Sequence, residues 1–251
     1  MDSILILIPF IALVCEYIDS TLGMGYGTTL TPLLLIMGFE PLQIVPSVLL
    51  SELITGALAA GLHHRVGNVK FGKGQGHLRI AAVLAICSVV GTVVAVFLAI
   101  ELPKEYVKTY IGILVLVMGV VILWKRKSKH RFSWGKIVGL GSIASFNKGI
   151  SGGGYGPVVM SGQILSGVNG KNAVAITSLA ESLTCLVGVL LYLAIGTEID
   201  WTLAPYLIIG AVVSVPLSAY SVKVMNEKNL IKYVGILTVL LGLFTLFKLF
   251  L

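Results

Sequence analysis

Apolar runs long enough to cross a lipid bilayer, separated by short charged patches, leave this chain few folds to choose from. Ile80–Ile100, Ala173–Ile195 and Leu203–Val222 are such runs, and about 20 residues of apolar helix cover the hydrocarbon core. Across 251 residues, 57% are hydrophobic and 12% charged; soluble domains carry about 25% charged residues. The alternating strands of a membrane β-barrel do not occur. The chain is therefore expected to be an all-α polytopic membrane protein.

The formal charge of +7 does not point to nucleic acid. The basic residues fall mainly in two loops beside apolar segments, where Lys and Arg mark the cytoplasmic side. One loop, 63–79, carries Arg65, Lys70, Lys73 and Arg79 without an acid. The other, 125–136, carries Lys125, Arg126, Lys127, Lys129, Arg131 and Lys136. Cys15, Cys87 and Cys185 lie in apolar segments without paired spacing, and read as buried small hydrophobes. No metal, cofactor or catalytic residue is expected, and no Walker motif points to ATP. Met1-Asp2-Ser3 lacks a basic leader, so no cleavable signal is expected.

Two apolar segments are broken by glycines and carry charge. Ser145–Ser161 holds Asn147, Lys148, Gly152, Gly153, Gly154, Tyr155 and Gly156; Glu16–Pro32 holds Asp19, Gly23, Gly25, Tyr26, Gly27 and Thr28. Lys148 is the only Lys or Arg well inside an apolar segment. The limbs on either side of each break read as shorter than a full span. An offset of 129 residues lays Gly23, Gly25, Tyr26 and Gly27 on Gly152, Gly154, Tyr155 and Gly156, and Glu52 on Glu181. After a six-residue shortening, Tyr110-Ile111-Gly112 falls on Tyr233-Val234-Gly235. The chain thus divides into repeat one (1–124), a basic cytoplasmic linker (125–136) and repeat two (137–251).

The acidic loop at 196–202, with Glu198 and Asp200, occupies the place in repeat two that the basic loop 63–79 holds in repeat one. The repeats are therefore expected to be inverted. Each would contain a glycine-broken, re-entrant helix pair and three transmembrane helices, with both termini outside. Eight full spans in parallel repeats remain the alternative.

A helix end within the membrane exposes backbone N–H groups, and its N-terminal end favours an anion. Gly25, Gly27, Gly152, Gly153 and Gly154 would let an anion approach the backbone. Lys148 would add a full positive charge, and Asn147, Gln163 and Thr28 hydrogen bonds. Close helix packing is the other use for the glycines. A charge at this depth needs a partner; a bound anion, Asp19 or a glutamate would each serve Lys148. Glu52, Glu181 and Asp19 are candidates for proton coupling, and the glutamates alternatively cap N–H groups of the facing broken segment. His63 and His64 read as interfacial anchors. Paired glycine-broken segments in two halves are a transporter signature.

These motifs resemble the TauE/SafE family of sulfite and organosulfur-anion transporters over essentially the whole chain. The carriers are the duplicated glycine motif, Pro32-Leu33 after its first copy, and the span with small polar residues following each copy. The second copy keeps Gly152-Gly153-Gly154, with Pro157 early and Ser161 where the proline would fall. The resemblance implies a secondary transporter of a small sulfur-containing anion (sulfite, a sulfonate or thiosulfate) working by alternating access. The expected location is a prokaryotic cell (inner) membrane, as monomer or homodimer. Three rivals remain. One is a passive anion channel, and another is a sulfur carrier using Cys15. The last, a cation carrier using Glu16, Asp19, Glu52 and Glu181, conflicts with Lys148.

Overall fold

A computed structural model describes residues 2–39, 41–72, 76–99, 104–125, 132–151, 154–194 and 196–247. Regular structure among them is helical throughout. The first five helices are α1 (Asp2–Leu22), α2 (Tyr26–Ile36), α3 (Pro41–Arg65), α4 (His77–Ala99) and α5 (Lys104–Lys125). They are followed by α6 (Trp134–Ser151), α7 (Tyr155–Leu165), α8 (Gly170–Ala194), α9 (Ala204–Val224) and α10 (Glu227–Phe247). Residues 126–131 of the basic linker lie outside the described residues.

Helices α3, α4, α8 and α9 each contain a stretch long and apolar enough to cross a membrane. Their polarity is inside out. On α9, Ile209, Val213 and Leu217 are exposed while Ser214 and Ser218 are buried. Exposed apolar stripes at helical spacing suit lipid, and buried hydroxyls suit a polar interior. The chain is a multi-pass membrane protein. Helices α5 and α10 begin with charge (Lys104, Glu105 and Lys108; Glu227, Lys228 and Lys232) and turn apolar beyond it.

The helices on either side of each break are unequal. Those before it are longer than the hydropathy predicts: α1 has 21 residues and α6 has 18. Glu16, Asp19 and Lys148 interrupt the apolar run without interrupting the helix, because each finds a polar partner inside the bundle. The helices after each break, α2 and α7, have 11 residues each. At 1.5 Å per residue they reach about 16 Å, half the hydrocarbon thickness.

The second limb of each pair folds back along the first. Lys136 Nζ, early in α6, donates to the carbonyl of Leu165 at the end of α7 (3.2 Å). Gly162 of α7 packs on Leu140 of α6. Likewise Leu30 and Leu34 of α2 share one apolar cluster with Ile8 and Ala12 of α1 and Ile44 of α3.

Across the bundle, α3 packs on α8 and α5 on α10. In the first pair Leu49 meets Gly188, Ser182 Oγ donates to the Leu53 carbonyl (2.9 Å), and Gly56 meets Ser178. Position rises on one helix as it falls on the other, so the two run antiparallel. Helices α5 and α10 do the same, through Leu116–Gly242, Gly119–Val239 and Leu123–Gly235. By contrast α1 lies parallel to α9 (Pro9 beside Gly210; Tyr17 Oη to Ser221 Oγ, 2.8 Å). So does α6 to α4, through Gly141–Leu84 and Ser145–Gly91.

The α8–α9 loop is tied to the start of α3: Gln43 Nε2 donates to Asp200 Oδ2 (2.9 Å). Burial pushes the Asp200 carboxyl up, but hydrogen bonds from Thr202, Leu203 and Gln43 outweigh it and hold the group below the ordinary carboxylate range. At the opposite end of α3, His63 is fully buried. Interfacial anchoring is expected of it, yet it works as an internal tie. Its Nε2 meets the Ser20 carbonyl (3.1 Å) and its Nδ1 the Asn68 amide (2.9 Å), which also donates to the Ala219 carbonyl on α9 (2.8 Å). His64 stays exposed and lies against Phe71.

Candidate functional site

Each break restarts a helix at a tyrosine, Tyr26 in α2 and Tyr155 in α7. Gly23 (φ 72°), Gly25 (φ 123°) and Gly154 (φ 75°) adopt the left-handed backbone that the reversal needs. The two breaks touch. A Cβ on Gly156 would lie 2.7 Å from Met24 Cα and 2.8 Å from the Gly23 carbonyl oxygen. The Gly154 N–H donates to Thr28 Oγ1 across the contact (3.1 Å). Thr28→Val, which keeps the shape and removes the acceptor, is expected to lower stability by about 1 kcal/mol, read as a drop in the thermal midpoint of the detergent-purified protein.

The start of α2 is closed by the protein's own carboxylates. Asp19 Oδ1 accepts from the Tyr26 N–H (3.4 Å), and Glu52 Oε1 from the Gly27 N–H (3.1 Å). Acidic groups at a helix N-terminus answer both its unpaired donors and its positive end. Among the described residues no such cap is found on α7, where Gly154 at the N-cap offers no side chain and Pro157 has no N–H.

Lys148, near the end of α6, is 5% exposed and held by both Glu52 and Glu181. Its Nζ lies 2.7 Å from Glu52 Oε2 on α3 and 2.7 Å from Glu181 Oε1 on α8. Glu52 Oε2 also accepts from the Cys185 thiol (3.3 Å). One cation between two anions leaves the trio negative when all are ionised. Asp19 and Glu16 add two further carboxylates in the same region. Beside the trio a small cavity is lined by Asp19, Glu52, Thr55, Gly56, Ser178 and Glu181.

A model of the sulfite exporter TauE/SafE family matches residues 8–245. The chain belongs to the TauE/SafE sulfite exporter family. It is also 28% identical to the probable membrane transporter protein YtnM of Bacillus subtilis (strain 168), over 96% of this chain and 82% of that protein. This TauE/SafE chain is thus a membrane transporter by family.

The residues singled out from the TauE/SafE sequence divide in space. Lys148, Glu52, Glu181 and Asp19 come together, with Gly27 at Glu52 and Gly25 just before it in the chain. Thr28 and Gly154 form the seam between the breaks. Gln163 stands apart, its Nε2 donating to Thr177 Oγ1 (2.7 Å) and tying α7 to α8. Asn147 precedes Lys148 in α6, with its side chain outside the description. Gly152 and Gly153 lie outside the described residues. Most helix hydroxyls bond to backbone, as Ser47, Thr55, Ser178 and Thr184 do.

Sequence reasoning misses Cys185 as a neighbour of Glu52. The available signal is register: Cys185 is one turn beyond Glu181 on the same helix. It also misses that one lysine serves both glutamates, which no local spacing encodes.

Proposed function

We propose that this protein is a secondary transporter moving a small sulfur-containing anion (sulfite, a sulfonate or thiosulfate) by alternating access. The observation that carries the reading is Lys148 bound by Glu52 and Glu181 where the two glycine breaks meet. An anion reaching Lys148 meets the charge of both carboxylates. Protonating Glu52 or Glu181 releases the ammonium group and removes the charge that would repel the anion. Proton and anion binding are coupled in this way, with Asp19 as a third proton-accepting group. The uncapped start of α7, with Gly152, Gly153 and Gly154 before it and Asn147 nearby, offers the anion its backbone donors. Gly25, Gly27, Thr28 and Gln163 are in this reading the supporting members of the site.

The architecture proposed for this cycle is two inverted repeats, 1–124 and 137–251, joined by the cytoplasmic linker 125–136. Antiparallel packing of the equivalent helices α3 with α8 and α5 with α10 supports it. So does the reciprocal parallel pairing of α1 with α9 and α6 with α4. A two-fold axis in the membrane plane generates those relations. Each broken pair is then re-entrant, from opposite sides, in a prokaryotic inner membrane.

A passive anion channel is the second reading, and a sulfur carrier a third. For the third, Cys185 is the thiol beside the trio, whereas Cys15 lies on α1. Uptake of sulfite, thiosulfate and sulfoacetate into proteoliposomes, with and without a pH gradient, decides among these. Saturable accumulation driven by the gradient supports the carrier. Flux that does not saturate and ignores the gradient contradicts it in favour of a channel. Loss of uptake in Cys185→Ala would favour the sulfur carrier.

A further inference from the structure

The trio leaves one buried acid unaccounted for. Glu16 on α1 is 1% exposed. Its Oε1 accepts from the Ser20 hydroxyl one turn on. Its Oε2 is fully buried and has no hydrogen-bond partner among the described residues. The buried cation of the region, Lys148, is already held by Glu52 and Glu181. An ionised carboxylate with an unpaired oxygen and no cation is costly inside a membrane protein.

Its surroundings explain what this acid can do. Thr55 lies beside Glu16 and also lines the central cavity. Its hydroxyl hydrogen goes to the Ser51 carbonyl (3.0 Å). On the other side Ser20, bonded to Glu16 through its hydroxyl, presents its carbonyl to His63 Nε2 (3.1 Å). Asn68 fixes the other nitrogen of that ring (2.9 Å) and adjoins the basic-loop end of α3. Glu16 thus stands between the cavity and the loop carrying Arg65 and Lys70.

Apart from Lys148, which is bonded to Glu52 and Glu181, the titratable groups facing it are acids. Cys15 and Asp19 on α1, Tyr26 on α2, Glu52 on α3 and Glu181 on α8 are acids. On α9, Tyr206, Tyr220 and Lys223 are turned outward, as are Lys228, Lys232 and Tyr233 on α10. None of these brings a cation to Glu16.

We propose that Glu16 is a further proton-carrying residue of the transport cycle, exchanging its proton with the Asp19–Glu52–Glu181 cavity. The step is a proton transfer. The O–H bond at Glu16 breaks and an O–H bond forms on an ionised cavity carboxylate; the reverse transfer, from a protonated cavity carboxyl, restores Glu16. Its transport role rests on the proton-coupled reading above; the protonated state of Glu16 does not.

The test uses full-length protein in proteoliposomes. Infrared difference spectra recorded through a pH titration report protonated carboxyl groups. Wild type is expected to show such a band at neutral pH, and Glu16→Gln to lack one component of it. Ser20→Ala is expected to shift that component without removing it, which keeps the test open if Glu16→Gln folds poorly. A band identical in wild type and both variants would overturn the proposal. In sulfite-loaded vesicles Glu16→Gln is expected to retain sulfite exchange but lose accumulation driven by a pH gradient. Unchanged gradient-driven accumulation would likewise overturn it. Wild type moving no sulfur anion would remove the proposed substrate, while the infrared comparison still decides on Glu16.

Discussion

Lys148→Met is expected to abolish transport and to lower stability by about 3–5 kcal/mol, the cost of leaving a buried charge without its partner. Both glutamates would remain, 4% and 9% exposed at their side chains and facing each other without a cation. The stability loss is therefore reversible in a defined way. Adding Glu52→Gln and Glu181→Gln to Lys148→Met removes the two stranded charges, and the triple variant is expected to recover most of the thermal midpoint while remaining unable to transport. Recovery of transport along with stability would show that Lys148 serves only to hold the glutamates together. The single glutamate variants are ordered too. Glu52→Gln is expected to destabilise more than Glu181→Gln, because Glu52 also accepts from Gly27 and Cys185.

Gly156→Ala is the second large effect. The added methyl would meet Met24 Cα at 2.7 Å and the Gly23 carbonyl oxygen at 2.8 Å. These are backbone atoms of the facing break, so no rotamer change relieves the overlap. Overpacking of this kind typically costs about 1–3 kcal/mol. Its consequence for transport is expected to exceed its consequence for stability, since the methyl forces apart the two glycine breaks that meet beside the Lys148–Glu52–Glu181 trio. The comparison variant is Gly139→Ala, where nothing lies within 4 Å. A thermal shift and an uptake assay on the pair separate the effects: Gly139→Ala near wild type in both, Gly156→Ala impaired in both and more severely in uptake.

Which parts of this are legible in the sequence follows from what is local. The breaks before Tyr26 and Tyr155 are legible, because a cluster of glycines interrupts an apolar run at each. The equivalence of Glu52 and Glu181 is legible from the repeat offset. The continuation of α1 through Glu16 and Asp19 is not, because hydropathy registers two charges and not the Ser20 and Tyr26 groups that receive them. Nor is the choice Lys148 makes between Asp19 and the glutamates. That choice depends on α3 and α8 crossing beside α6, a relation among residues 52, 148 and 181 that no spacing contains. His63 is misread as an anchor for the same reason: its partner Ser20 lies on α1, 43 residues away.

Counting protons taken up as the anion binds tests the coupled site most directly. Heats of binding for thiosulfate and sulfoacetate, measured at neutral pH in buffers of different ionisation enthalpy, give that number. Neither anion changes its own protonation there, so any uptake belongs to the protein. Proton uptake on binding is expected in wild type, strongly reduced in the Glu52→Gln/Glu181→Gln variant. Saturable binding with no proton uptake in wild type would contradict the coupling, because the anion would then reach Lys148 without either glutamate being neutralised.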